Sequence, residues 1–364
     1  MRIRFFVAAV LSVCMAQIDV QEAGSCSVPV FRYALERWAP DAYYGMILFK
    51  DEMTKDERAL YEQLEYNTKN DFPLNLKIQA VNTASVSKEK IEDVLKSDIP
   101  EKLPVITLWY PGSIGKTAPI FTKRFEPAIV DAISHSPKRE ELAKRLISKD
   151  AAVWILLQSG NMEKDQQVES LLRKELDAAH IRLSKKPNPI IPGNQENTVS
   201  YDFSILHLSQ ADPLEHIFVK TLLGSESDLY EHRNKPIIMP VFGRGRLLGA
   251  LFGEFITENN IQGAVSFMTG ACSCEVKAMN PGIDLLMAAP WERAVIDYWE
   301  NETIPELTGV MPETPGSENK AAGESHKNKK GSNLLLVYGS ALIGILVVVG
   351  LISVIIMRRP GRSR

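Results

Sequence analysis

The stretches LPVITLWY (Leu103–Tyr110) and PIIMPVF (Pro236–Phe242) are apolar runs led by proline, and each closes the same series of elements. In the first series, Tyr43 to Phe49 reads as a strand and Lys55 to Tyr66 as a helix. Leu74 to Val81 alternates apolar and polar residues like a strand, and Ser87 to Leu95 opens with the polar and acidic residues of a helix start. In the second series, Ala151 to Leu157 is a strand, and Asn161 caps a helix running to Ala179. Val168, Leu171, Leu172 and Leu176 share one face of that helix. Tyr201 to Leu208 is a strand, His216 to Leu223 a helix, and Ile283 to Met287 a last strand. Strand–helix–strand units of this kind predict an α/β architecture, with helices packed on a sheet.

A proline ahead of a core strand, after a β-α-β unit, resembles the thioredoxin fold. The resemblance implies two tandem thioredoxin-like domains, at 26–140 and 148–300, with Pro104 and Pro236 in the cis form and facing an active site. The Cys-x-x-Cys of that fold does not carry over. Phe49-Lys50-Asp51-Glu52 and Gln158-Ser159-Gly160 stand where it belongs, at the end of each first strand.

The two ends of the chain bear on its address. MRIRFFVAAVLSVCMA has charge, then a short apolar run, then small residues, the layout of a secretory signal over 1–16, whose removal would take Cys14 with it. Leu334 to Met357 is 24 residues without a charge and reads as a transmembrane helix. Arg358, Arg359, Arg362 and Arg364 follow it, which favours a cytoplasmic tail at 358–364. Lys327, Lys329 and Lys330 on the other flank pull the opposite way, and the signal decides the orientation. Between fold and span, 302–333 is rich in Pro, Gly, Ser, Glu and Lys and reads as a flexible stalk. Asn301-Glu302-Thr303 matches a glycosylation acceptor. The expectation is a single-pass membrane protein with its bulk outside the cytoplasm. A net charge of -3 gives no nucleic-acid footprint.

Cys26-Ser27-Val28-Pro29-Val30-Phe31-Arg32-Tyr33-Ala34-Leu35-Glu36-Arg37-Trp38, Val241-Phe242-Gly243-Arg244-Gly245-Arg246 and Cys272-Ser273-Cys274 together resemble a group of exported, membrane-anchored bacterial proteins of unknown function. The resemblance implies an envelope protein partner, in some cases a membrane transport system, and no activity.

Three thiols, Cys26, Cys272 and Cys274, admit three readings. Cys26 stands before a helix, Val30 to Trp38, with Phe31, Ala34, Leu35 and Trp38 on one face and Pro29 suited to its first turn. A helix N-terminus lowers a thiol pKa, so a thiol–disulfide exchange centre is one reading. A structural disulfide from Cys26 to Cys272 or Cys274 is the second, closing a loop of roughly 245 residues worth about 5 kcal/mol at most. Metal comes third. Cys-x-Cys is not a usual zinc spacing, and His207, His216 and His232 are scattered. No metal or cofactor is therefore expected.

Two glycine-rich turns bring the remaining candidates. Gly112-Ser113-Ile114-Gly115-Lys116-Thr117 lacks the first glycine of a phosphate loop, where Tyr110 stands instead. Gly243-Arg244-Gly245-Arg246-Leu247-Leu248-Gly249 has its third glycine one residue late for a dinucleotide fingerprint. Neither predicts nucleotide binding. Arg244 and Arg246 are candidates for holding a carboxylate or phosphate, against an internal ion pair, for example with Glu254. No hydrolase elbow, His-Glu-x-x-His or paired acidic motif is present. A binding ectodomain is thus favoured over an enzyme, with a membrane-tethered thiol oxidoreductase as the alternative.

Overall fold

YYGMILF forms β1 (Tyr43–Phe49), the central strand of the first of two sheets. The computed structural model describes residues 28–148, 150–185, 200–271 and 277–292. The signal stretch, the cysteines, the glycosylation motif, the stalk, the Leu334–Met357 run and the basic tail lie outside them. Among the described residues, no helix is long and apolar enough to cross a membrane.

Among the described residues the first helix is α1 (Val30–Arg37), which Pro29 precedes at the cap position. After β1 come α2 (Lys55–Asn67), β2 (Leu76–Asn82), α3 (Lys88–Leu95), β3 (Val105–Trp109) and β4 (Phe121–Arg124). Thr54 starts α2 with a reciprocal capping box: the Glu57 amide donates to Thr54 Oγ1 at 3.2 Å, and the Thr54 amide to Glu57 Oε2 at 2.8 Å. The four strands lie in the order β2-β1-β3-β4, with β1 parallel to β2 and antiparallel to β3. The Leu103–Pro104 bond is cis, as the resemblance implies. Pro236 differs, since Leu103–Pro104 is the only cis bond among the described residues.

Two helices, α4 (Pro127–Ser134) and α5 (Pro137–Ile147), lead to the second sheet. That sheet holds β5 (Asp150–Gln158), β6 (Asp202–Ser209), β7 (Ile237–Phe242), β8 (Arg246–Leu247), β9 (Leu251–Phe252) and β10 (Ile283–Asp284). Between them run α6 (Met162–Ser184), α7 (His216–Leu223) and α8 (Glu258–Thr269). Asn161 caps α6 as expected, accepting from the Lys164 amide at 3.1 Å. The order is β10-β8-β7-β5-β6, with β9 also on β7. Again the first strand, β5, is parallel to the second and antiparallel to the third.

β5 reads as an unbroken apolar run because both of its faces are covered. Its alternate side chains divide between two cores. Val153, Ile155 and Leu157 meet α5 and α7, while Ala152, Trp154 and Leu156 meet α1, α6 and α8. So α1 packs on the second sheet, although it precedes β1 in the chain. In the first sheet, Tyr43, Ile47, Ile106 and Leu108 face α2 and α4, and Met46, Leu48, Val105 and Trp109 face α3. Burying each such side chain stabilises the fold by roughly 1.5–3 kcal/mol.

Candidate functional site

The turn Gly243-Arg244-Gly245-Arg246 joins β7 to β8 and lies against α1. Gly243 has φ +58°, and a Cβ there would come within 2.6 Å of Ala34 Cβ. A Cβ on Gly245 would come within 2.4 Å of Met287 Sδ. Both glycines are thus accounted for by close packing.

The arginines they flank are buried. Arg244 donates from Nε to Leu35 O at 2.7 Å and from Nη2 to Glu36 O at 3.1 Å, and its Nη1 pairs with the Glu292 carboxylate. Leu35 and Glu36 lie in the last turn of α1, where carbonyls lack helical partners and the helix dipole favours a cation. Arg246 donates from Nε to Pro281 O at 3.1 Å, from Nη2 to Asn280 O at 2.8 Å and from Nη1 to Asp284 Oδ1 at 3.2 Å. Its guanidinium lies 5.6 Å from the Trp38 ring centroid. All three nitrogens of each arginine therefore donate to protein acceptors. The internal ion pair weighed from the sequence is present, with Glu292 and Asp284 as the acids in place of Glu254.

Asp284 extends the network across both sheets. Its Oδ2 accepts from the Asp41 amide at 2.6 Å and pairs with Lys277. Lys277 Nζ also donates to Asp41 Oδ1 at 2.9 Å and to Ala39 O at 2.6 Å, and Ser113 Oγ donates to Asp41 Oδ2 at 2.8 Å. Burial pushes the Asp41 carboxyl up, but Lys277, Ser113 and Arg246 together hold it below its usual range. Two cations, Arg246 and Lys277, thus balance two carboxylates. Such balance is what makes a buried charge cluster tolerable, and removing one member leaves the others uncompensated.

The second glycine turn is also engaged. Lys116 Nζ donates to Gly224 O and lies 5.3 Å from the Tyr110 ring centroid, and Tyr110 Oη donates to Thr221 O at 2.6 Å. Burial lowers the Lys116 pKa. The histidines stand apart. His207 Nε2 is 3.0 Å from Glu169, His216 Nδ1 is 2.9 Å from Pro213 O, and His232 stacks on Phe252. Among the described residues, no group of three or more His, Cys, Asp or Glu could hold a metal ion.

Cys26, Cys272 and Cys274 lie outside the described residues, but their neighbours do not. Pro29 forms an antiparallel bridge with Ala271, and the Val30 amide donates to Gly270 O at 3.0 Å.

Sequence reasoning overlooked Asn75, Asp284, Lys277, Arg139 and Glu215. The first three are single polar residues in irregular or barely extended segments, with no local pattern to mark them. Arg139 carried a usable signal: Ser136 caps α5 and Pro137 opens it, a standard helix start. Arg139 is buried, and donates to Leu286 O at 2.9 Å and to the carbonyls closing α4. Ser136 donates to Glu215, which is fully buried. No family model matches the chain, and no curated protein matches it.

Proposed function

We propose that this chain is a binding or scaffold ectodomain, exported and held at a membrane by its C-terminal span, that engages a protein partner in an envelope or transport-associated complex. Its two halves are thioredoxin-like in strand order. Each places a parallel pair first, then an antiparallel third strand on the other side of the central one. The observation that carries the binding reading is what stands at the end of β1 and β5. Phe49 to Glu52 and Gln158 to Gly160 offer no dithiol, and Ser159 there spends its amide and hydroxyl on Asp165, at 2.9 and 2.8 Å. Photo-cross-linkers at the exposed Tyr230 and Phe255 in the full-length, membrane-inserted chain test it. A discrete adduct with another envelope protein is expected. The absence of any adduct from these and from matched positions on the first sheet would count against the reading.

The Pro29–Ala271 bridge favours a second role for the thiols, as a staple or an exchange centre. In the sequence Cys26 stands three residues before one bridge partner, and Cys272 and Cys274 stand one and three residues after the other. Peptide mapping without reduction is expected to recover a link from Cys26 to Cys272 or Cys274, with the other left over. A structural bond resists mild reductant and its Cys26→Ser variant loses stability. Turnover of a disulfide substrate that Cys26→Ser abolishes would select the oxidoreductase instead.

A further inference from the structure

We propose that the run Asp284–Ala288 is a clasp that couples the two sheets into one cooperative unit, with Asn75 as its keeper. The run is extended, so successive side chains point to opposite sides. Leu285 and Met287 enter the core of the second sheet, whereas Leu286 enters that of the first, with Ala288 packed beside it. One short segment thereby completes two hydrophobic cores.

The backbone divides in the same way. Toward the second sheet, β10 pairs with β8, and the Leu285 amide donates to Gly245 O at 2.9 Å. Toward the first, three carbonyls are taken: Asp284 O accepts from Tyr43 Oη at 3.0 Å, Leu285 O from Asn75 Nδ2 at 3.0 Å and Met287 O from the Asn75 amide at 3.2 Å, while Leu286 O accepts from Arg139 Nη1 of α5. The Met287 amide donates to Asn75 Oδ1 at 2.7 Å, and Leu74 bridges Ala288. The carboxamide of Asn75 thus acts as a partner strand would, one donor and one acceptor toward the same segment. It also donates from Nδ2 to Asp41 O at 2.9 Å, which fixes the entry to β1.

Displacing the segment from either sheet withdraws apolar cover from both and strips several buried carbonyls of their donors. Opening on one side is then felt on the other, and an event at either half is transmitted across the seam.

Hydrogen exchange of the full-length chain, read peptide by peptide, tests the coupling. Asn75→Ala removes three side-chain hydrogen bonds and is expected to speed exchange on the order of tenfold to a hundredfold. The increase should reach β1 and β2 in the first sheet and β7 and β8 in the second together. Asn75→Asp keeps the acceptor but sets a carboxylate against Leu285 O and Asp41 O, so a rise over the same strands is again expected, and Asn75→Ser serves should either variant fail to fold. Ile91→Ala, on α3 over the outer face of the first sheet, touches neither the clasp nor the second sheet; it is expected to speed exchange in both sheets while Asn75 is in place, and in the first alone once Asn75→Ala is added. The proposal is overturned if the Asn75 variants loosen the first sheet alone, or if Ile91→Ala in the otherwise unaltered chain leaves the second sheet unchanged.

Discussion

In the first sheet, Met46, Leu48, Val105 and Trp109 are covered by the eight-residue α3, with Val81, Ile99 and Leu103 at its margins. In the second, the corresponding face, covered by α7 between β6 and β7, also carries α5, and the opposite face is covered by α1, α6 and α8. The strand order is the same, yet one sheet has a thin outer layer and the other is enclosed. Two of the covering helices come from outside the repeated series. α1 precedes β1, and α5 stands between the halves. The repeat alone therefore does not close the second sheet. The lesson is that matching strand order says little about where the cohesive surface of a two-sheet chain is concentrated.

Paired tryptophans give the largest expected difference. Trp154 is fully buried at the centre of β5, among residues from three helices, whereas Trp109 ends β3 and lies against the partly exposed Tyr44, with ring centroids 5.9 Å apart. Trp154→Ala leaves a cavity that rigid neighbours cannot fill and should cost about 5 kcal/mol, against about 3 kcal/mol for Trp109→Ala. Denaturant titration of the two variants measures both. Equal costs would break the contrast between an enclosed sheet and a thin one.

Much of that contrast was hidden in the sequence, for a physical reason. Strands and helices with strong local patterns were legible. β1 and α7 have the ends read from their residues, and Asn161 caps α6 with its side chain. β4, α4, α5 and α8 went unread. β4 is short and half-polar, and α8 interrupts its apolar face with Gly263 and polar residues. The apolar stripe of α1 was visible, but its partner was not, because a stripe records that a face is buried and not what buries it. The site fared likewise. Arg244 and Arg246 stood out by their glycines, but the acids that answer them, Glu292 and Asp284, are set by tertiary folding and lie 48 and 38 residues away.

The two glycine turns provide an intermediate test. Gly243→Ala in the second half forces a left-handed backbone on alanine and drives its Cβ into Ala34, so a loss of about 3 kcal/mol is expected. Gly112→Ala in the first half has no atom within 4 Å of the added carbon and should change stability by less than about 0.5 kcal/mol. Thermal unfolding of the two variants under one buffer settles the order. A costly Gly112→Ala would mean that the first turn packs against something besides the described residues.

The smallest expected effect is electrostatic and concerns Glu226, which faces the first half. Burial raises its pKa, and Asp228 raises it further, while the Ala250 amide, at 2.9 Å from Oε1, and Lys116 act the other way. A carboxyl whose folded pKa exceeds its unfolded one favours the fold most when protonated. Its contribution is complete below the ordinary glutamate value of about 4.3 and is lost as pH rises through the folded pKa. At neutral pH the charge is therefore a burden that Lys116 only partly relieves. Glu226→Gln keeps an oxygen for the Ala250 amide and removes the charge. The variant is expected to equal or slightly exceed the unaltered chain in stability at pH 7, by less than about 1 kcal/mol, and to flatten the decline in stability above the glutamate range. Asp41 has the opposite sign. Its pKa is lowered, so its contribution is lost as pH falls, and Asp41→Asn should instead weaken the fold at neutral pH. Denaturant midpoints across pH 4 to 8 compare the two. If Glu226→Gln proves destabilising at pH 7, the attraction to Lys116 outweighs burial, and the junction between the halves is held by charge at this corner as it is around Asp284.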